Sequence, residues 1–389
     1  MKRLLTIIGA RPQIIKAAAI SRAIQSHFSE QIEEHILHTG QHYDQNMSAV
    51  FFDELGIPEP HYNLQVGSGT HATQTARITE GVEQVLLQAA QEGKPFDGVI
   101  VYGDTNSTLA ASIAAVKIHV PVFHIEAGLR SFNMSMPEEV NRIVCDQLSS
   151  ILFTPTETGL RNLRAEGFAE GGIKQRVRFA NGQGPRVILS GDVMYDNSLY
   201  FSQIADRKSD IIERLGLTPR GFVLATIHRP ANTDNATNLQ SIFAALLDIA
   251  EQEQIDIVLP LHPRTRKILP EQLTKELLAR IERTPHMKII EPASFFEIIR
   301  LEKNARVVMT DSGGVQKEAF FFETPCVILR PETEWVEIVE AGAGVIADAD
   351  YQRIMNAYRQ LAGKAVTFPP LFGDGHASEK ILEAILGAV

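Results

Sequence analysis

Four short stretches of this 389-residue chain carry side chains able to move protons. They are VYGDTNST around Asp104, HIEAGLR around Glu126, MPEEVNR around Glu138 and TIHRP around His228. Three carboxylates held close together raise one another's pKa values and titrate as a set. Such a set suits removal of a proton from carbon and its return. Each residue also has an ordinary structural use. Asp104 stands where an aspartate commonly caps a helix. Glu138 and Glu139 follow Pro137 and fit a first helical turn, and a lone histidine such as His228 is more often packed or hydrogen-bonded than catalytic.

A second group suits an anion. In DSGGVQKEA (311–319) a strand gives way to a helix, and Ser312, Gly313 and Gly314 leave backbone N–H groups at its start, where dipole and hydrogen bonds both favour a phosphate. A plain Ser-Gly-Gly turn with an N-cap reads equally well. Glu318, one turn on, is placed to accept from a ribose diol or to sit on a solvated face. In GARPQIIKAA (9–18), Arg11 and Lys16 lie near a helix start, where two cations oppose the macrodipole unless an anion sits there. The chain has neither GxxxxGK[ST] nor GxGxxG after its first strand, so ATP hydrolysis and dinucleotide binding are not supported.

The elements that must position these residues are legible as alternating β-rich runs and helical patterns. The runs are 4–10, 34–40, 98–104, 120–128, 151–157 and 186–192, then 221–229, 256–264, 287–292, 305–314, 325–331 and 342–348. Helical periodicity marks Thr105–Ile118, Asn238–Glu253 and Val315–Phe322 among the segments between them. Continuous apolar strands separated by helices predict α/β domains with parallel sheets covered on both faces. Two sets predict two doubly wound domains, 1–190 and 191–364, with a C-terminal helix within 365–389 free to pack back on the first. Residues 169–186 are Gly-rich, basic and aperiodic, as a surface loop or hairpin. Nearly every run ends in polar residues, and ligands of open parallel sheets bind outside those ends. The cleft between the domains is the expected site.

The totals narrow the class. A net charge of −10 argues against nucleic acid or an anionic membrane surface as partner. Cys145 and Cys326 lie in apolar contexts as expected free thiols, and no metal-type Cys/His spacing appears, so neither metal nor cofactor is predicted. The N-terminal apolar run stops at Gly9, too short for a signal core or a membrane span, which makes a cytoplasmic protein the expectation.

Taken in order, GARPQIIKAA, HTGQHYDQNMS, YGDTNST, HIEAGLR, MPEEVNR, TPTE, GDVMYDN, TIHRP, DSGGVQKEA and PETEWVE resemble the non-hydrolysing UDP-N-acetylglucosamine 2-epimerases. The resemblance spans essentially the whole chain. It implies a GT-B fold, two Rossmann-like doubly wound domains with the nucleotide sugar in the cleft between them, and a homodimer. The implied activity interconverts UDP-GlcNAc and UDP-ManNAc for cell-surface polysaccharide precursors. By the same resemblance Asp104, Glu126 and Glu138 are the acid/base carboxylates and His228 lies beside the phosphates. Arg11 and Lys16 are the basic residues of the first loop and helix, and Ser312, Gly313 and Gly314 the diphosphate turn. Glu318 is the ribose contact and Arg330 lies on the nucleotide side. Gln41, His42 and His262 align near a second UDP-GlcNAc site that acts as an allosteric activator in some bacterial members.

There are departures. This chain has Ala-Arg-Pro-Gln where the family often has Thr-Arg-Pro-Glu, Ala231 where a Glu often follows the His-Arg pair, and a longer 169–186 segment. The alternatives are a 2-epimerase of a modified sugar such as UDP-2,3-diacetamido-2,3-dideoxyglucuronic acid, a hydrolysing epimerase, a glycosyltransferase of the same fold and a non-catalytic nucleotide-sugar sensor.

Overall fold

The structure, a computed structural model, describes residues 1–40, 56–261 and 263–388. It divides into two units, Met1–Asn197 with Pro370–Val389, and Ser198–Pro369. In the first unit the strands are β1 (Lys2–Ile8), β2 (Ile32–His38), β3 (Tyr62–Asn63), β4 (Gly98–Tyr102), β5 (Val122–Ile125), β6 (Ile151–Thr154) and β7 (Arg186–Leu189). They pair in the order β3-β2-β1-β4-β5-β6-β7, parallel throughout. β4, β5 and β6 are buried at every residue, as a sheet covered on both faces requires.

The second unit repeats this plan. β8 (Phe222–Thr226), β9 (Asp256–Pro260), β10 (Met287–Ile290), β11 (Val307–Thr310), β12 (Cys326–Ile328) and β13 (Gly344–Ile346) run in the order β10-β9-β8-β11-β12-β13, again all parallel. Both sheets reverse direction of growth at their first strand, between β1 and β4 and between β8 and β11. That switch point is where a crevice opens outside the strand ends. All twelve runs read from sequence are strands, while β3, a two-residue edge strand, has no such signal.

The helices that carry candidate residues start at these strand ends. They are α1 (Arg11–Ala23), α2 (Asn106–Lys117) and α3 (Pro137–Leu148) in the first unit, and α4 (Gly313–Phe321) in the second. The terminal helix α5 (Ala377–Leu386) belongs to the first unit. The Asp196 carboxylate accepts hydrogen bonds from Ala377 N at 3.1 Å and Ser378 N at 2.8 Å. Residues 169–186 hold one 3-10 turn, Ile173–Arg176, and no strand before β7. Among the described residues no helix is long and apolar enough to cross a membrane.

Candidate active site

In the first unit the switch point gathers four charged side chains. Tyr102 pairs with Ile125, so the chain after β4 and the chain after β5 leave the sheet at the same level. Lys16, one turn into α1, places Nζ 2.6 Å from Glu126 Oε1, with side chains only 11% and 13% exposed. Glu126 has φ +72°, the left-handed region that a non-glycine residue avoids. A conformation of that kind costs about 1–3 kcal/mol and persists where its surroundings over-determine it, which active sites often do. Gly103 lies against the pair. Its φ is +61°, and a Cβ there would stand 3.2 Å from Lys16 Nζ and 3.3 Å from Glu126 Oε1.

Asp104 is free of the capping duty that its position suggested. Thr105 caps α2 instead, its hydroxyl accepting from Thr108 N at 3.3 Å. The Asp104 carboxylate is ion-paired with the Arg142 guanidinium of α3, and its backbone carbonyl accepts from Asn141 Nδ2 at 2.8 Å. Burial pushes its pKa up. The Arg142 and Lys16 cations oppose that, Glu126 and Glu138 reinforce it, and the balance lies above the ordinary aspartate value. Arg142 is held above its own ordinary value, since the Asp104 and Glu126 carboxylates outweigh the effect of burial.

The two glutamates after Pro137 part company. Glu138 is exposed in the first turn of α3. Glu139 is 1% exposed and accepts from Ser131 N at 2.9 Å, Ser131 Oγ at 3.0 Å, Phe132 N at 3.0 Å and Arg142 Nη1 at 3.1 Å. It ties the loop between Glu126 and α3 to the helix that supplies Arg142. Arg11 is exposed at the first helical position of α1, with Pro12 second. Gln13 is buried there, accepting from Gly9 N at 2.9 Å and donating to the Tyr102 carbonyl at 3.0 Å. A glutamate could not make that donation, which gives the Gln of GARPQ a structural role.

The second unit holds the other set around its own switch point. Asp311, wholly buried at the end of β11, accepts from the backbone N–H of His228 at 3.1 Å, of Arg229 at 3.0 Å and from Asn232 Nδ2 at 3.1 Å. It also lies 3.0 Å from His228 Nδ1, which orients the half-exposed ring. Burial alone would raise the Asp311 pKa, but His228 and the donors around it hold it below the ordinary value. Ser312 caps α4 through its hydroxyl, which accepts from Val315 N at 3.4 Å. At Gly313 a Cβ would fall 2.4 Å from Glu334 Oε1, whereas at Gly314 the nearest neighbour would be 3.8 Å away. The close approach of the turn therefore falls on Gly313. Arg330 Nη1 donates to Glu334 Oε2 at 2.9 Å, so a carboxylate–guanidinium pair lies against the start of α4. Glu318 is half-buried, and the neighbouring Glu302 is pushed well up by burial and then by the Glu318 charge.

Asp104, Glu126, Arg11 and Lys16 thus lie at the β1/β4/β5 ends of one unit, with Glu138 close behind them on α3. His228, Ser312, Gly313, Gly314, Glu318 and Arg330 lie in the other. Gln41, His42 and His262 lie outside the described residues. Arg142, Asp311 and Glu334 were not singled out from sequence. Each sits inside a motif quoted above, yet each matters through a partner distant in sequence or a turn that only the fold creates.

A family model described as UDP-N-acetylglucosamine 2-epimerase matches residues 24–386. The chain is 46% identical over 383 residues to the UDP-2,3-diacetamido-2,3-dideoxy-D-glucuronate 2-epimerase of Pseudomonas aeruginosa, covering 98% of both chains. It is 43% identical over 384 residues to a UDP-N-acetylglucosamine 2-epimerase homolog of Methanococcus maripaludis, covering 98% of this chain and 99% of that one. Among solved structures it resembles Methanocaldococcus jannaschii UDP-GlcNAc 2-epimerase in complex with UDP-GlcNAc and UDP. There the TM-score is 0.80 at 37% identity, over 99% of this chain and 100% of that one.

Proposed function

The chain belongs to the UDP-N-acetylglucosamine 2-epimerase family, and on that premise we propose that it is a non-hydrolysing 2-epimerase interconverting UDP-GlcNAc and UDP-ManNAc. The observation that carries this reading is the Lys16–Glu126–Asp104–Arg142 cluster at the switch point of the first unit. The C2 proton of a neutral amino sugar is too weakly acidic for simple removal. Coupling its loss to cleavage of the C1–O bond avoids a free carbanion. The C2–H electron pair becomes the C1=C2 bond of a glycal, the C1–O pair leaves with UDP, and the proton passes to a carboxylate. Return of a proton to the opposite face of C2 and attack of the UDP oxygen on C1 complete epimerisation.

The environments of the carboxylates divide the work. Glu126, in contact with the Lys16 ammonium, suits the base. Asp104, whose neutral form is favoured by burial, suits the acid, and the roles exchange in the reverse direction. Exposed Glu138 adds negative charge that helps raise the Asp104 pKa. In the second unit the start of α4, Arg330 and His228 suit the departing diphosphate and Glu318 suits the ribose. We further propose allosteric activation at a second UDP-GlcNAc site that includes Gln41, His42 and His262, and a cytoplasmic homodimer.

A second reading takes UDP-2,3-diacetamido-2,3-dideoxyglucuronic acid as the substrate, favoured by the 46% identity to the Pseudomonas aeruginosa enzyme. A panel of the two UDP-sugars, with product analysis by NMR, tests both. The first reading expects UDP-ManNAc from UDP-GlcNAc. Turnover of the glucuronic acid alone replaces it with the second, and free sugar plus UDP as end products overturns the non-hydrolysing assignment.

A further inference from the structure

Behind the carboxylate set the first unit buries a second charged group to which the chemistry above gives no role. His124, wholly buried in β5, lies two residues before Glu126. Its Nε2 is 2.8 Å from the Gly103 carbonyl oxygen and its Nδ1 is 2.7 Å from Asp146 Oδ1. A backbone carbonyl only accepts, so Nε2 carries a proton. The other Asp146 oxygen receives the Arg130 guanidinium at 2.7 Å and the Gly128 N–H at 3.2 Å, the donor set of an ionised carboxylate. Nδ1 therefore carries a proton too. Burial opposes the charge, but Cys145 and Asp146 beside the ring more than offset it and hold the pKa well above the ordinary histidine value.

We infer that His124 is a permanent imidazolium which, locked by Asp146, acts as a positioning residue for Asp104 and Glu126. The inference rests on the reading of those two as the proton-transfer carboxylates. Gly103 is held from both sides, donating its N–H to the Ile125 carbonyl at 3.0 Å and accepting from His124 through its own carbonyl. That clamp fixes the turn that delivers Asp104. Asp146 secures the turn after Glu126 through Gly128, itself at φ +80°, and through Arg130. Arg130 is anchored in turn by Glu166 at 2.6 and 2.8 Å. The buried His124–Asp146 pair thus joins two adjacent strand-end turns. It supplies the over-determination that the left-handed backbone of Glu126 needs.

The test begins with the full-length protein labelled with 15N-histidine, the His124 signals being assigned by their loss in His124→Gln. Both ring nitrogens are expected to stay protonated from about pH 6 to 8.5, where an ordinary histidine titrates near 6.5. A single protonated nitrogen at neutral pH overturns the inference, whatever sugar the enzyme uses. Kinetics on whichever sugar is epimerised then tests the positioning role. Asp146→Asn is expected to lower kcat about 10²-fold with KM changed less than about twofold. His124→Gln, which keeps a donor for the Gly103 carbonyl, is expected to retain more kcat per folded protein than His124→Leu. Equal kcat in the two His124 variants, or in Asp146→Asn and the natural protein, overturns it. Should Asp146→Asn not fold, the Gln/Leu ratio decides.

Discussion

The Lys16 ammonium and the Glu126 carboxylate meet at 2.6 Å across the switch point of the first sheet, although 110 residues separate them in sequence. The contact joins the second turn of α1 to the end of β5, and Gly103 leaves room for it by having no side chain. A cation at a helix start is disfavoured by the macrodipole. Glu126 supplies the compensating charge, and the pair lies next to Asp104, whose pKa Lys16 helps to lower and Glu126 helps to raise.

Lys16→Met is accordingly expected to leave the fold intact and to lower kcat by about 10²-fold or more at neutral pH. Without that ammonium the Asp104 carboxyl, whose pKa Lys16 lowers, gains a proton more readily, so the alkaline limb of the kcat–pH profile moves to higher pH. Steady-state kinetics across pH checks it. An unchanged profile would separate Lys16 from Asp104 function.

Glu139 carries a pH-dependent share of stability. Burial pushes its pKa up, yet the Ser131, Phe132 and Arg142 donors hold it below the ordinary glutamate value. A carboxylate with a depressed folded pKa stabilises above its unfolded value and loses that contribution as pH falls through the folded one. Glu139→Gln, which turns an amide NH2 toward these donors, is expected to cost about 1–3 kcal/mol at neutral pH. The difference shrinks below about pH 4.5, the unfolded-state end of the window. Denaturant titrations at several pH values measure it, and a difference that does not vary with pH would contradict the assignment.

Asp311→Asn replaces the anion that collects the N–H groups of His228 and Arg229, the Asn232 amide and His228 Nδ1. The expected result is a loss of about 1–3 kcal/mol of stability. With His228 no longer oriented, UDP binding is expected to weaken about tenfold, the equivalent of about 1.4 kcal/mol. Thermal melts and titration calorimetry with UDP report the two effects separately.

Glu334→Gln removes a negative charge lying against Gly313, where the diphosphate is proposed to bind. UDP affinity is expected to rise roughly two- to fivefold, the scale of one charge at a helix start. Weaker binding would instead make Glu334 a ligand contact.

Much of the scaffold is legible in the chain because parallel strands buried on both faces need unbroken apolar runs, and each such run ends where a candidate residue begins. β3 escapes notice since two edge residues carry no pattern. Local duties are harder to assign. In YGDTNST either Asp104 or Thr105 could cap α2, and only the pairing of Asp104 with Arg142, 38 residues away, decides between them. In PEE, two adjacent glutamates point about 100° apart on a helix. The fold of the preceding loop determines that Glu139 turns inward and Glu138 outward. The left-handed backbone of Glu126 has no signature in HIEAG, because it is imposed by the turns on either side.

The account's central claim is that the strand-end carboxylates of the first unit exchange the C2 proton of a UDP-sugar. Incubation of UDP-GlcNAc in deuterated water, followed by proton NMR of C2, compares the natural protein with Glu126→Gln. The account predicts deuterium at C2 with UDP-ManNAc formation for the natural protein. For the variant it predicts exchange slower by about 10²–10⁴-fold with UDP binding retained. Exchange in Glu126→Gln at the natural rate would contradict it.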